Sequence, residues 1–160
     1  MLATGEIVAW HFLEKQSILN NHWWVKEQHM GVSLYAVAET KPTDFDDYLY
    51  EKALSYVDAD VWVELFETLN ITSFFDFIQA SEEQLEDEDF DLPDEMRQIQ
   101  WFDASEGLHV FRTLKQHFIE NPNLIDSEEQ TRVIEALGQF EEVLSVYQKQ
   151  NIRFHLCMDF

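Results

Sequence analysis

Apolar side chains recur every three or four residues in three stretches of the chain, which is the spacing of a helix that buries one face. The stretches are 59–69, 103–121 and 127–151, and their predicted buried positions are Val61, Trp62, Leu65, Phe66 and Leu69; Leu108, Phe111, Leu114 and Phe118; and Val133, Leu137, Phe140, Leu144 and Tyr147. We predict a further helix over 46–56. Asp103 and Ser127 are the predicted N-caps, with Glu106 and Gln130 three residues later as a capping box requires.

Two other segments alternate with period two, as strands do. Residues 31–38 (GVSLYAVA) form a mostly buried strand in this interpretation, and residues 152–159 (IRFHLCMD) form a half-buried one. A two-stranded ribbon is marginal alone, so the helices between the strands must pack against it. The expected fold is therefore α+β: a predominantly helical single domain over 30–160 with one small sheet.

The stretch 81–95 (SEEQLEDEDFDLPDE) carries nine acidic residues and no basic one. Mutual repulsion and Pro93 predict an exposed loop, tethered by Leu85, Phe90 and Leu92. The apolar group Phe74, Phe75, Phe77 and Ile78 precedes it and is expected to fill the core.

The whole chain has a formal net charge of −22 and a pI near 4.3. Direct binding to nucleic acid or to anionic membranes is disfavoured, because both need Lys and Arg to meet their charges. A basic protein partner is favoured electrostatically, while plain solubility is the simpler explanation. Cys157 is the single cysteine, and no signal peptide or long apolar stretch is recognisable, so a cytoplasmic location is expected.

Residues 1–29 differ from the remainder, since they hold only three acidic and two basic residues. Lys26-Glu27 can be encoded by a purine-rich ribosome-binding sequence at a suitable distance before Met30. Two interpretations stay open: translation starts at Met30 and 1–29 extend the reading frame upstream, or 1–29 form an additional N-terminal strand or helix.

Three motifs carry a resemblance to a known group of proteins: Ser33-Leu34-Tyr35, the segment WFDASEGL at 101–108 and the segment RFHLCMDF at 153–160. In this order they resemble an uncharacterised family of small bacterial proteins. Its members share a WF-D-x-x-EGL segment before a helix and end in an aromatic-His-Leu-x-x-Asp-aromatic strand. The resemblance covers 30–160 and implies a fold but no activity. In size and charge alone, the chain also resembles the acidic immunity proteins that neutralise bacterial toxins.

Candidate chemistry is confined to two places. Asp103 and Glu106, beside Trp101, are either a carboxylate pair for acid–base work or a helix cap, and Gly107 indicates close backbone approach. His155 and Cys157 share one strand face with Asp159, as in a thiolate nucleophile or a metal site, although a structural role is the commoner one.

No metal or cofactor site is predicted. The series Asp87-x-Asp89-x-Asp91 begins like a calcium loop, but Leu92 and Gln98 stand where Gly and Glu are required.

Three classes of function therefore remain. The first is a non-enzymatic module, immunity- or inhibitor-like, that binds a basic partner through Glu82, Glu83, Glu86, Asp87, Glu88, Asp89 and Asp91. The second is an enzyme or metal protein that uses Asp103, Glu106, His155 and Cys157. The third is a passive soluble scaffold.

Overall fold

The computed structural model describes residues 33–88 and 94–159, so both interpretations of 1–29 concern residues outside the described part. Its elements in chain order are β1 (Ser33–Ala38), α1 (Ala59–Leu69), α2 (Glu82–Glu86), α3 (Ala104–Glu120), α4 (Ser127–Lys149) and β2 (Phe154–Asp159). Short 3-10 turns occupy Ala53–Tyr56, Phe74–Phe77 and Asp94–Arg97. The predicted class is confirmed: the fold is α+β, mostly helical, with one small sheet.

The sheet is an antiparallel pair, in a register that joins Ser33 to Asp159 and Ala38 to Phe154. Each strand also has a partner on its outer edge. Leu34 exchanges two backbone hydrogen bonds with Glu51, of 2.8 and 2.9 Å. On the other side, Phe102 exchanges two with Phe154, of 2.8 and 3.0 Å. These flanking segments satisfy backbone groups that a bare two-stranded ribbon would leave open.

β2 is buried on both faces, which corrects the prediction of a half-buried strand. Leu156 and Met158 belong to the main core, yet His155 and Cys157 on the opposite face are only 5% and 1% exposed. The Trp101 ring lies 4.7 Å from the imidazole of His155. Alternation correctly separates the two faces, but it does not show that the more polar one is also covered.

Aromatic rings fill the core between the helices. Trp62 of α1 is fully buried and packs edge-on against Phe74 and Phe118, at centroid distances of 5.0 and 5.7 Å. Phe111 of α3 stacks on Phe140 of α4 at 4.6 Å and 8°. The predicted stripes of α3 and α4 are buried at every position, which confirms them.

The helix predicted over 46–56 is wrong. Residues 46–50 are not helical, and only Ala53–Tyr56 make a 3-10 turn. The backbone N–H and C=O of Glu51 are hydrogen-bonded to Leu34 in β1, so Glu51 pairs as in an antiparallel sheet. A tertiary pairing overrides the helix propensity of the segment.

The N-cap of α4 is Asp126, and the prediction of Ser127 is wrong by one residue. The Asp126 carboxylate accepts the backbone N–H of Glu128 at 3.1 Å. The side chain of Gln130 is buried and donates to the carbonyls of Phe118 and Asn121, both at 2.8 Å. It thus satisfies carbonyls at the end of α3 instead of closing a capping box.

No helix in the described ranges is both long enough and apolar enough to cross a membrane.

Candidate functional site

The acidic segment, as we call residues 81–88, begins with a short helix and is not an irregular loop throughout. Ser81 Oγ accepts the N–H of Gln84 at 3.2 Å, and Gln84 Oε1 accepts the N–H of Ser81 at 3.0 Å. This capping box starts α2, a helix of five residues with none buried. The predicted exposure is therefore correct and the predicted loop is wrong in part. Leu85 is half-buried, while the tethers Phe90 and Leu92 lie outside the described residues.

The exposed glutamates of the acidic segment have no Lys or Arg partner in the described ranges. Four glutamates are exposed and form no ion pair with a Lys or Arg of the described ranges: Glu82, Glu83, Glu86 and Glu88. Asp87 is exposed as well, and the predicted partner-binding residues Asp89 and Asp91 lie outside the described part. The field of these carboxylates is consequently open to solvent.

Most of the described cations are held elsewhere. Arg112 and Lys115 of α3 both contact Glu141 of α4, at 3.0 and 2.6 Å. The Lys115 ammonium, followed by Arg112, lowers the pKa of the Glu141 carboxyl despite its partial burial. Arg153 donates two hydrogen bonds to the carboxylate of Glu39, of 2.9 and 2.6 Å. The remaining ion pairs join Arg132 to Glu128 and Arg97 to Asp94. None of these cations forms an ion pair with the exposed glutamates of 81–88.

The Asp103 corner is a helix cap. Asp103 Oδ1 accepts the backbone N–H and the hydroxyl of Ser105, at 2.8 and 2.7 Å. Both hydrogen bonds, the hydroxyl first, lower the pKa of the Asp103 carboxyl. Glu106 is exposed, and its backbone N–H donates to the Asp103 carbonyl at 3.1 Å. The geometry favours the cap over an acid–base pair, although the cap acts through Ser105 and not through a box with Glu106.

Trp101 and Phe102 attach this cap to β2. Phe102 packs against Phe77 at 5.1 Å, and Trp101 lies over His155. A Cβ on Gly107 would stand 2.4 Å from Cζ of Phe154. The close backbone approach predicted for Gly107 is confirmed. Trp101, Phe102, Asp103 and Gly107 each have a structural role.

His155 and Cys157 do form a pair, with Sγ 3.6 Å from Nδ1. Burial raises the pKa of the Cys157 thiol to about 11. Burial also lowers the pKa of His155, opposed by its hydrogen bond to the Leu156 carbonyl. Both groups are therefore neutral near pH 7, whereas a nucleophilic cysteine needs a depressed pKa and a charged neighbour.

No three His, Cys, Asp or Glu side chains converge as metal ligands within 33–88 and 94–159. Asp103 and Glu106 at the start of α3 thus do not join His155 and Cys157 in such a site.

Sequence reasoning missed the non-helical stretch before the first 3-10 turn, in which more buried and exposed positions alternate from Phe45 to Tyr50. We call residues 43–51 the strap. Its outward side chains include Tyr48, which is 81% exposed, and Tyr50, whose ring stacks on Tyr35 at 6.2 Å. Tyr50 donates a short hydrogen bond to the carboxylate of Asp159, which raises the pKa of Tyr50. The alternation of FDDYLY at 45–50 was the available signal, and it is typical of a strand with one buried face.

The fold and these surfaces define a small acidic α+β protein in which the exposed glutamates of 81–88 have no Lys or Arg partner within the described part. No family model, curated protein or solved structure matches the chain. The resemblance to small bacterial proteins stays a prediction.

Proposed function

We propose that the protein is a non-enzymatic binding module, immunity- or inhibitor-like, whose acidic segment contacts a basic protein partner. The observation that supports it best is the separation of charges. The exposed glutamates of 81–88 have no Lys or Arg partner in the described ranges, while Arg112, Lys115 and Arg153 are engaged in ion pairs elsewhere. A surface of one sign attracts a partner of the other and repels nucleic acid.

The energetic contribution of such a surface lies mainly in association. Exposed charges are screened beyond about 8 Å at physiological salt, so each carboxylate adds little to the lifetime of a complex. Their summed field acts before contact and raises the rate of productive encounter. The gain should therefore shrink as salt is added.

The competing enzymatic class has less support in the geometry. The neutral Cys157–His155 pair and the capping role of Asp103 leave no activated nucleophile or acid–base pair among the four candidate residues. If the protein is a passive scaffold, replacing the exposed glutamates of the acidic segment should leave association with any partner unchanged, whereas our proposal expects association to slow.

The test compares two variants with the same change of charge. The first replaces four exposed glutamates of the acidic segment by Gln: Glu82, Glu83, Glu86 and Glu88. The matched control replaces four exposed glutamates of α1 and α4 that form no ion pair with a described Lys or Arg: Glu64, Glu67, Glu129 and Glu142. Partner protein is recovered on immobilised wild-type chain from the cells that produce it, and association is then measured at low and physiological salt.

We expect the acidic-segment variant to associate several-fold more slowly at low salt, with nearly unchanged dissociation, and the control to stay close to wild type. Equal association rates for the two variants would contradict a role for 81–88 and favour the passive scaffold. Unfolding curves of both variants should match wild type within about 0.5 kcal/mol, since the altered residues are exposed.

A further inference from the structure

The strap presents alternate side chains to core and solvent. Phe45 and Leu49 pack inward, and the carboxylate of Asp47 between them accepts a hydrogen bond from the hydroxyl of buried Tyr147, at 2.6 Å. The alternating outward positions are 46, 48 and 50, which carry Asp, Tyr and Tyr. Tyr48 and Tyr50 are thus both exposed on the outward side of the strap.

The backbone of the strap is anchored along its length. Thr43 exchanges two hydrogen bonds with the side-chain amide of Gln150, of 2.8 and 3.0 Å. Tyr147 holds the middle, and the Leu34–Glu51 pairing holds the far end. The backbone around Tyr48 is therefore held between anchored residues, which removes part of the ordering cost of binding.

Within the described ranges, no packing or hydrogen-bonding role in the fold explains a tyrosine at position 48. Its side chain makes no hydrogen bond or ring contact with another described residue, and its ring is 81% exposed. Rigidly placed tyrosines are frequent anchors of protein interfaces, because they bring a large contact area with few rotatable bonds. Asp44 and Asp46, which precede Tyr48 in the chain, are exposed, and Asp46 Oδ1 accepts the backbone N–H of Tyr48 at 3.1 Å.

We propose that Tyr48, with Tyr50 exposed on the same side of the strap, is the anchoring contact for an arginine of the basic partner. The inference deepens the proposed function and rests on it. A guanidinium can stack on the phenol ring while its N–H groups meet the carboxylates of Asp44 and Asp46, which an ammonium does less well. The acidic segment accelerates encounter, and the Tyr48 face selects arginine over lysine.

The test uses nona-arginine and nona-lysine peptides as probes on the full chain, by calorimetric titration at low salt. Wild type is expected to bind nona-arginine more tightly, and Tyr48→Ala should weaken that binding by roughly two- to fivefold with little change for nona-lysine. Tyr48→Phe retains a ring and should keep the preference. Ile119→Ala, at a 49% exposed apolar residue of α3, is the control and should behave as wild type.

Four outcomes overturn the inference in distinguishable ways. Equal binding of nona-arginine by wild type and Tyr48→Ala would exclude a role for Tyr48 in arginine binding but would leave the proposed role of the acidic segment untouched. Failure of wild type to bind either peptide removes the proposed function as well. Weakening of both peptides by Tyr48→Ala to the same degree makes the ring a nonspecific contact. A wild-type dimer that Tyr48→Ala converts to monomer, seen by sedimentation, assigns the face to a second copy of the chain.

Tyrosine ring resonances provide a second measurement. The Tyr48 signals should shift on addition of nona-arginine, and less with nona-lysine at matched saturation. Circular dichroism of Tyr48→Ala should match wild type, because the ring lies outside the core.

Discussion

The α3–α4 pair and the acidic segment use charged residues in opposite ways. Between the helices, Arg112 and Lys115 converge on Glu141 above the stacked rings of Phe111 and Phe140. The acidic segment has a five-residue helix, no buried side chain in it and no Lys or Arg bound to its exposed glutamates within the described part. The net charge of −22 is therefore unevenly distributed: Arg112 and Lys115 pair with Glu141 on the helix pair, while the exposed glutamates of the acidic segment have no Lys or Arg partner within the described part.

The largest expected effect tests whether stability really resides in the helix pair. Phe140→Ala removes a fully buried ring that stacks on Phe111, and should lower the free energy of unfolding by about 3–5 kcal/mol. Leu85→Ala, in the acidic segment, should lower it by less than about 1 kcal/mol, since Leu85 is only half-buried. Denaturant unfolding measures both, and similar losses would show that the acidic segment is part of the core.

Gly107 of α3 and Gly138 of α4 test how tightly each helix of the pair is packed. A Cβ at Gly107 of α3 would meet Cζ of Phe154 at 2.4 Å and Cδ1 of Leu144 at 3.0 Å. Gly107→Ala should therefore destabilise by about 1–3 kcal/mol through overpacking. At Gly138 of α4 the nearest atom to such a Cβ is Cδ of Lys115, at 3.8 Å.

Gly138→Ala should thus stabilise the protein by up to about 1 kcal/mol, because alanine is the better helix former. Thermal unfolding of the two variants should shift in opposite directions. A shift of the same sign in both would refute the close contact between α3 and β2.

The smallest expected effect concerns the cap of α3. Asp103→Ala should cost about 1 kcal/mol, and Asp103→Asn should restore most of it, because asparagine also caps. The hydrogen bonds from Ser105 depress the pKa of Asp103 in the folded protein, so its contribution is complete above the unfolded pKa, near 3.9. It is lost as the pH falls through the folded pKa.

Unfolding of wild type and Asp103→Ala should accordingly converge in acid and separate at neutral pH. A constant difference from pH 7 down to pH 2 would mean that the carboxylate charge has no part in the cap.

Local pattern was sufficient for the long helices and insufficient for the strap. The stripes of α3 and α4 follow from spacing alone, because both helices bury one continuous face. The segment before Ala53 contains residues that suit a helix about as well, and its conformation depends on the distant backbone of Leu34. At the start of α4, Asp126 and Ser127 are both good caps, so propensity could not choose between them.

The candidate surfaces divide in the same manner. The acidic segment was visible in sequence because its charges are consecutive. The lack of a Lys or Arg partner for its exposed glutamates in the described ranges was not visible, because a cation such as Lys115 pairs with Glu141, which is 26 positions away in sequence. The outward surface of the strap around Tyr48 could not be predicted from sequence for the same reason. The hydrogen bonds that anchor it join Thr43 to Gln150, which are separated by 107 positions.

The pairing of β1 with β2 has a consequence for synthesis of the chain. α3 and α4 are neighbours in sequence and can dock as soon as both have been made, whereas β1 must wait for β2, which is made after every other described element. Until then the rings of Phe77 and Phe102 lack Phe154, and Leu34 lacks the partner strand. We expect a nascent chain that stalls before β2 to need a chaperone and to be a preferred target of proteolysis.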